Sequence, residues 1–108
     1  MTQESEEKDL QRPLIAMGGI RTGKHNILFE YVEANLDQPS PQEELKGKEI
    51  ITVLEGQVTV LILRARGYSF QTTICEGDTN EFSHGGKRDK IQVMPESVFA
   101  RVIRIKIR

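Results

Sequence analysis

The sequence predicts an all-β domain built as a barrel or sandwich, and three observations carry that prediction. Short runs rich in Ile, Val, Thr, Phe and Tyr recur along the chain. Clusters of Gly, Pro, Asn and Asp separate them at intervals of about 8–12 residues, the spacing of antiparallel strands joined by turns. No stretch places apolar residues at helical spacing over a useful length. About eight or more short strands are expected, with no internal repeat.

Residues 1–12 hold four acids and two bases, with Leu10 as the apolar anchor. Such a stretch buries too little apolar surface to offset its ordering entropy, so a flexible polar tail is expected, with a short helix as the alternative, followed by one domain over 13–108. An apolar run at 14–17 is closed by Gly18-Gly19, and 26–34 is aromatic and β-branched, a strand. The segment 35–47 contains Pro39, Ser40, Pro41 and Gly47. It reads as a loop longer than most connections, the kind that carries function. Strands are expected at 49–54 and 57–63 around the Glu55-Gly56 turn. Arg66-Gly67 then leads into 68–74, where Tyr68, Phe70, Thr72 and Ile74 share a face. Turns at 76–78 and 83–86 precede strands at 90–93 and 98–107. In the last of these the apolar set shifts from Val98, Ala100 and Val102 to Ile103, Ile105 and Ile107. Because side chains alternate faces, that shift predicts a bulge, or a strand passing between two sheet environments.

At 108 residues the chain accommodates one core. No apolar run approaches the roughly 18 residues of a membrane span, and the acidic N-terminus lacks the apolar segment of a signal peptide. A single cysteine, Cys75, excludes an internal disulfide and fits a reducing, cytoplasmic location; a half-buried, inert thiol is expected there. The net charge of −1 gives no general attraction to nucleic acid or to a membrane. The basic run Arg101, Arg104, Lys106 and Arg108 is expected on a solvated face or guarded strand edge. It lacks the interleaved aromatics that stack bases, so direct nucleic-acid binding is not expected. Gly18 to Lys24 has the glycines and lysine of a phosphate loop without its strand-loop-helix frame.

The most specific pattern is a spacing. Glu49 is followed after six residues by Gly56, and then, after twenty more, by Gly77-Asp78, Ser83, Gly85, Arg88 and Gln92. This skeleton resembles the two cupin motifs, G-x5-H-x-H-x3,4-E-x6-G and G-x5-P-x-G-x2-H-x3-N. The likeness spans residues 14–107, and Ala100 to Ile103 looks like the closing strand of small cupins. It implies a double-stranded β-helix, a jelly-roll barrel, with glycines 56 and 77 at sharp turns that need positive φ.

In metal-binding members of that superfamily, histidines and a glutamate converge inside the barrel. Here Glu49 stands at the glutamate position. Gln42 and Glu44, or in the shorter variant Glu43 and Leu45, stand at the first two histidine positions. Arg88 replaces the third histidine, and a guanidinium opposes a divalent cation. No metal and no other cofactor is therefore expected. His25 and His84 are expected as exposed loop residues without a second ligand. The register implies a Glu49–Arg88 pair inside the barrel, as a structural ion pair or as a pocket for a small polar or anionic ligand, sugar-like or carboxylate. Candidate lining residues are Glu49, Arg88, Gln92, Tyr31 and Glu44, with Arg21 and Glu30 as further contributors. A homodimer is expected, since dimerisation is common in proteins of this resemblance. The alternatives are a metal-independent sugar isomerase or epimerase, in which Glu49 and Tyr31 would be acid and base, and a non-catalytic dimerisation or protein-interaction module. A lesser one is a cyclic-nucleotide-binding barrel, faintly suggested by residues 77–82 with Lys87-Arg88.

Overall fold

The computed structural model describes residues 14–86 and 88–108, so the expected tail over 1–12 lies outside the described residues. Nine strands follow in order. They are β1 (Leu14–Thr22), β2 (His25–Asn35), β3 (Glu43–Glu44), β4 (Lys48–Glu55), β5 (Gln57–Leu63), β6 (Phe70–Cys75), β7 (Thr79–Ser83), β8 (Lys90–Pro95) and β9 (Phe99–Ile107). No helix long and apolar enough to cross a membrane occurs among the described residues.

The strands form two antiparallel sheets, β1-β2-β9-β4-β7 and β3-β8-β5-β6. Neighbours in each sheet are mostly distant in sequence, which is the jelly-roll signature. Burial alternates along most of β4 and along β8 and β9, as expected when one face of a pleated strand meets the opposite sheet. Val58, Val60 and Ile62 of β5 project inward against Ile51 and Val53 of β4 and Val102 of β9, within one buried cluster. Burying a Val or Ile fully contributes about 1.5–3 kcal/mol each, so this interior carries the fold.

The Glu55-Gly56 turn behaves as expected. Gly56 has φ of 79° and Gly77 of 86°. A Cβ on Gly56 would also collide with the Phe99 carbonyl oxygen and the Ser97 hydroxyl, so only glycine fits there. Two sequence expectations fail in detail. The strand expected at 68–74 begins at Phe70, leaving Tyr68 outside it. The expected turn at 83–86 is preceded by β7, whose short polar run Thr-Asn-Glu-Phe-Ser gave little alternation to read.

The last strand is the larger correction. β9 has no bulge: its burial alternates without interruption from Phe99 to Ile107, and its register with β2 is continuous. The irregularity lies in β4, between Val53 and Glu55 opposite β9. The inward set is therefore Ala100, Val102, Arg104 and Lys106, while Ile103, Ile105 and Ile107 face outward. The basic run is not an edge either, because β9 lies between β2 and β4 at the centre of its sheet. Arg104 and Lys106 are buried.

Candidate functional site

The barrel interior has two unlike halves. Around Ala34, Val58, Val93, Ala100 and Val102 it is apolar, and it retains a cavity of about 80 Å³ that opens beside Ile15, Gln38, Ser40 and Pro41. The other half is ionic. β2, β9 and β4 place Glu30 opposite Arg104 and Glu49 opposite Lys106 on the inner face. The bonds run along the diagonals of this checkerboard: Arg104 Nε donates to Glu49 Oε2 at 2.5 Å, and Lys106 Nζ pairs with Glu30. Glu43, on β3 of the facing sheet, closes the cluster from above. It accepts from Lys106 Nζ at 2.8 Å and from Arg104 Nη1 at 3.3 Å.

Electrostatics favours the charged forms of Arg104 and Glu43. Burial, the largest influence on Arg104, weakens its hold on the proton, but Glu49, Glu43 and Glu30 more than reverse this. Burial likewise pushes the Glu43 carboxyl up, and Lys106, Arg104 and Arg108 together leave it below its ordinary value. One donor is left over: among the described residues Arg104 Nη2 is buried without a hydrogen-bond partner. Arg104 also lines the apolar cavity.

Of the expected pocket residues, only Glu49 belongs to this cluster. Its partner is Arg104, not Arg88, and the expected Glu49–Arg88 pair does not form. Arg88 sits in the loop before β8, exposed, with φ of 70°. Spacing to a motif glycine placed it inside, but the chain turns through the left-handed region at that residue and carries it outward. The loop expected over 35–47 is interrupted by β3; Gln92 donates to the Ser40 carbonyl at 2.8 Å and pins the β2–β3 connection to β8, as does the Ser40 hydroxyl, which accepts from the Val93 N–H at 2.8 Å. Tyr31 lies on the outer face, where its hydroxyl donates to Glu33 at 2.7 Å and accepts from Arg101 Nε at 2.7 Å. Glu44 is exposed beside Lys46, and Arg21 is exposed beside Asn26. Glu30, named only as a further contributor, is a member of the cluster.

Glu43 stood in the sequence only at a histidine position of the shorter motif variant, and Arg104 and Lys106 were expected on a solvated face or strand edge because the isoleucines interleaved with them carry the hydrophobic signal. Continuing the period of two from Ala100 and Val102 leads directly to Arg104 and Lys106.

The donor set does not fit the metal that the motifs bring to mind. Glu49 is bound by a guanidinium, Glu43 by two cations, and Arg88 points away. No group of three metal-ligating side chains occurs among the described residues. His25 is exposed, at the first residue of β2 rather than in a loop, and His84 is exposed with Nδ1 near the Gly47 carbonyl at 3.1 Å. Cys75 is exposed rather than half-buried, because it falls on the outward parity of β6.

No protein-family model and no curated protein matches the chain. Solved structures are similar in shape. CENP-C of Drosophila melanogaster, in a structure bound to CAL1, is 12% identical with a TM-score of 0.59, covering 100% of both chains. An RmlC-like cupin of Methanocaldococcus jannaschii is 10% identical with a TM-score of 0.62, over 86% of this chain and 79% of that one. A protein of Acidithiobacillus ferrooxidans, assigned as a sugar phosphate isomerase, is 15% identical with a TM-score of 0.56, over 76% of this chain and 50% of its own. At these identities the shared property is the fold, and that fold is the cupin double-stranded β-helix.

Proposed function

We propose that this domain is a non-catalytic cupin that acts as a homodimerisation module. The observation that carries the reading is β1. It is a nine-residue edge strand, and its apolar side chains are exposed on both faces: Met17 at 70% and Ile20 at 55%. An edge of that length with no proline or charge between Ile15 and Ile20 invites strand pairing. Antiparallel self-pairing about Gly18 sets Ala16 opposite Ile20 of the second copy and brings no like charges together, so the edge is self-complementary. Beside it, Ile20, Ile27 and Ile107 form one cross-strand row on the outer face, and Phe29, Ile105 and Ile50 form the next. A second copy would cover both edge and face. The interior supports the non-catalytic part, since the charged side chains that would do chemistry are engaged with one another. A structural neighbour seen bound to another protein, CAL1, agrees with a role in assembly.

Sedimentation at micromolar concentration should give twice the 12.3 kDa chain mass. Met17→Lys with Ile20→Lys should give a folded monomer. A wild-type monomer would reject the reading.

A second reading rests on Arg104 Nη2. Its free donor beside an apolar cavity of about 80 Å³ suits a ligand with one acceptor oxygen and a short apolar body, a small carboxylate rather than a sugar. Butyrate should raise the melting temperature by mass action. No shift with acetate, butyrate or hexoses at millimolar concentration would exclude it.

A further inference from the structure

A second surface lies at the loops after β5 and before β8. Asp89 is 2% exposed and braces them together. Its carboxylate accepts from Arg64 Nη1 at 2.6 Å, from the Ala65 N–H at 3.1 Å and from the Gly85 N–H at 2.8 Å. Arg64 is thereby consumed internally, and its guanidinium also lies over the Phe70 ring, 5.4 Å from the centroid. The braced loops frame an open groove of about 810 Å³ lined by Arg66, Tyr68, Gly86 and Arg88.

The groove is built but its charges are not used. Among the described residues neither Arg66 nor Arg88 has an ion-pair partner, and Tyr68 is 93% exposed. Arg88 holds φ of 70°, a conformation that glycine adopts freely and arginine at a cost. Local backbone preference would favour glycine there, yet the position carries a guanidinium. Strain of this kind concentrates where a side chain is needed for binding.

We infer that this groove binds an acidic peptide segment of a partner protein. Arg66 and Arg88 would each take a carboxylate through paired N–H donors, and Tyr68 would supply the aromatic surface for an apolar residue between the acids. A polynucleotide fits less well. The chain as a whole carries a charge of −1, which gives no long-range attraction to an extended polyanion. A short acidic segment needs only the local charge.

Fluorescence anisotropy with the fluorescein-labelled peptide Glu-Asp-Glu-Phe-Glu-Asp tests this directly. Saturable binding is expected, weakened about tenfold or more by Arg66→Glu and by Arg88→Gly, and several-fold by Tyr68→Ala. Arg88→Gly should at the same time keep or raise the melting temperature, because it relieves the left-handed backbone. That combination separates a binding role from a structural one. Absence of peptide binding by the wild type overturns the proposal, as does binding that is indifferent to Arg66 and Arg88. A single-stranded oligonucleotide that outcompetes the peptide for the same residues also overturns it, since the partner would then be of another class.

Discussion

The two halves of the barrel interior are built from the same strands by different physics. Along β9, the inward positions run Ala100, Val102, Arg104, Lys106, so one strand is apolar at one end and ionic at the other. In the apolar half each side chain contributes by leaving water, and its neighbours are interchangeable in kind. In the ionic half no side chain is stable inside alone. Arg104 is tolerable because Glu49 and Glu43 are there, and Glu43 because Arg104 and Lys106 are. The lesson is that a buried position can be specified by a partner instead of by hydrophobicity.

The most direct way to break that contrast is to remove one member of the ionic half. Arg104→Met should destabilise by about 3–5 kcal/mol, because it leaves Glu49 buried without its guanidinium. Glu49→Gln should also destabilise. The double variant should recover much of the loss, and urea unfolding of all four proteins gives the coupling. Additive losses would mean that the two residues do not act as a pair.

In the apolar half, Val102→Ala should cost about 2 kcal/mol through lost burial and an enlarged cavity. Combined with Arg104→Met it measures how far the halves are independent, since adjacent inward positions of one strand can couple.

Acid sharpens the comparison more gently. Glu43 is held below its ordinary value of 4.5, and Asp89 is lowered from 3.8 to about 2, chiefly by the Arg64 hydrogen bond and then by the Gly85 and Ala65 N–H groups. A depressed carboxylate contributes stability above its unfolded value and loses it as pH falls through its folded one. Melting temperature should therefore hold down to about pH 4.5 and then decline towards pH 2. Glu43→Gln should flatten part of that decline, whereas Val102→Ala should lower the curve without changing its shape.

Much of this architecture was legible in the chain. The glycines at 56 and 77 mark turns that only a residue without a Cβ makes easily, and the resemblance of their spacing from Glu49 to the cupin motifs implied the jelly roll. The strands expected at 49–54 and 57–63 form nearly as read, β4 over Lys48–Glu55 and β5 over Gln57–Leu63, because both runs are rich in branched apolar residues and meet at a glycine turn. The ionic half was not legible. Local composition gives Arg104 and Lys106 the look of solvated residues, and the isoleucines between them the look of core.

Sequence alone determined the all-β class and the turns, since each depends on backbone freedom or on periodicity within a few residues, and the resemblance to the cupin spacing implied the inward position of Glu49. Tertiary structure alone decided that β9 lies at the centre of its sheet, that Glu49 meets Arg104 rather than Arg88, and that Glu43 reaches the cluster from the facing sheet. These pairings join residues 55 and 61 positions apart. No local pattern encodes them, because what stabilises a buried charge is its partner's position in space, and only closure of the two sheets brings the partner within reach.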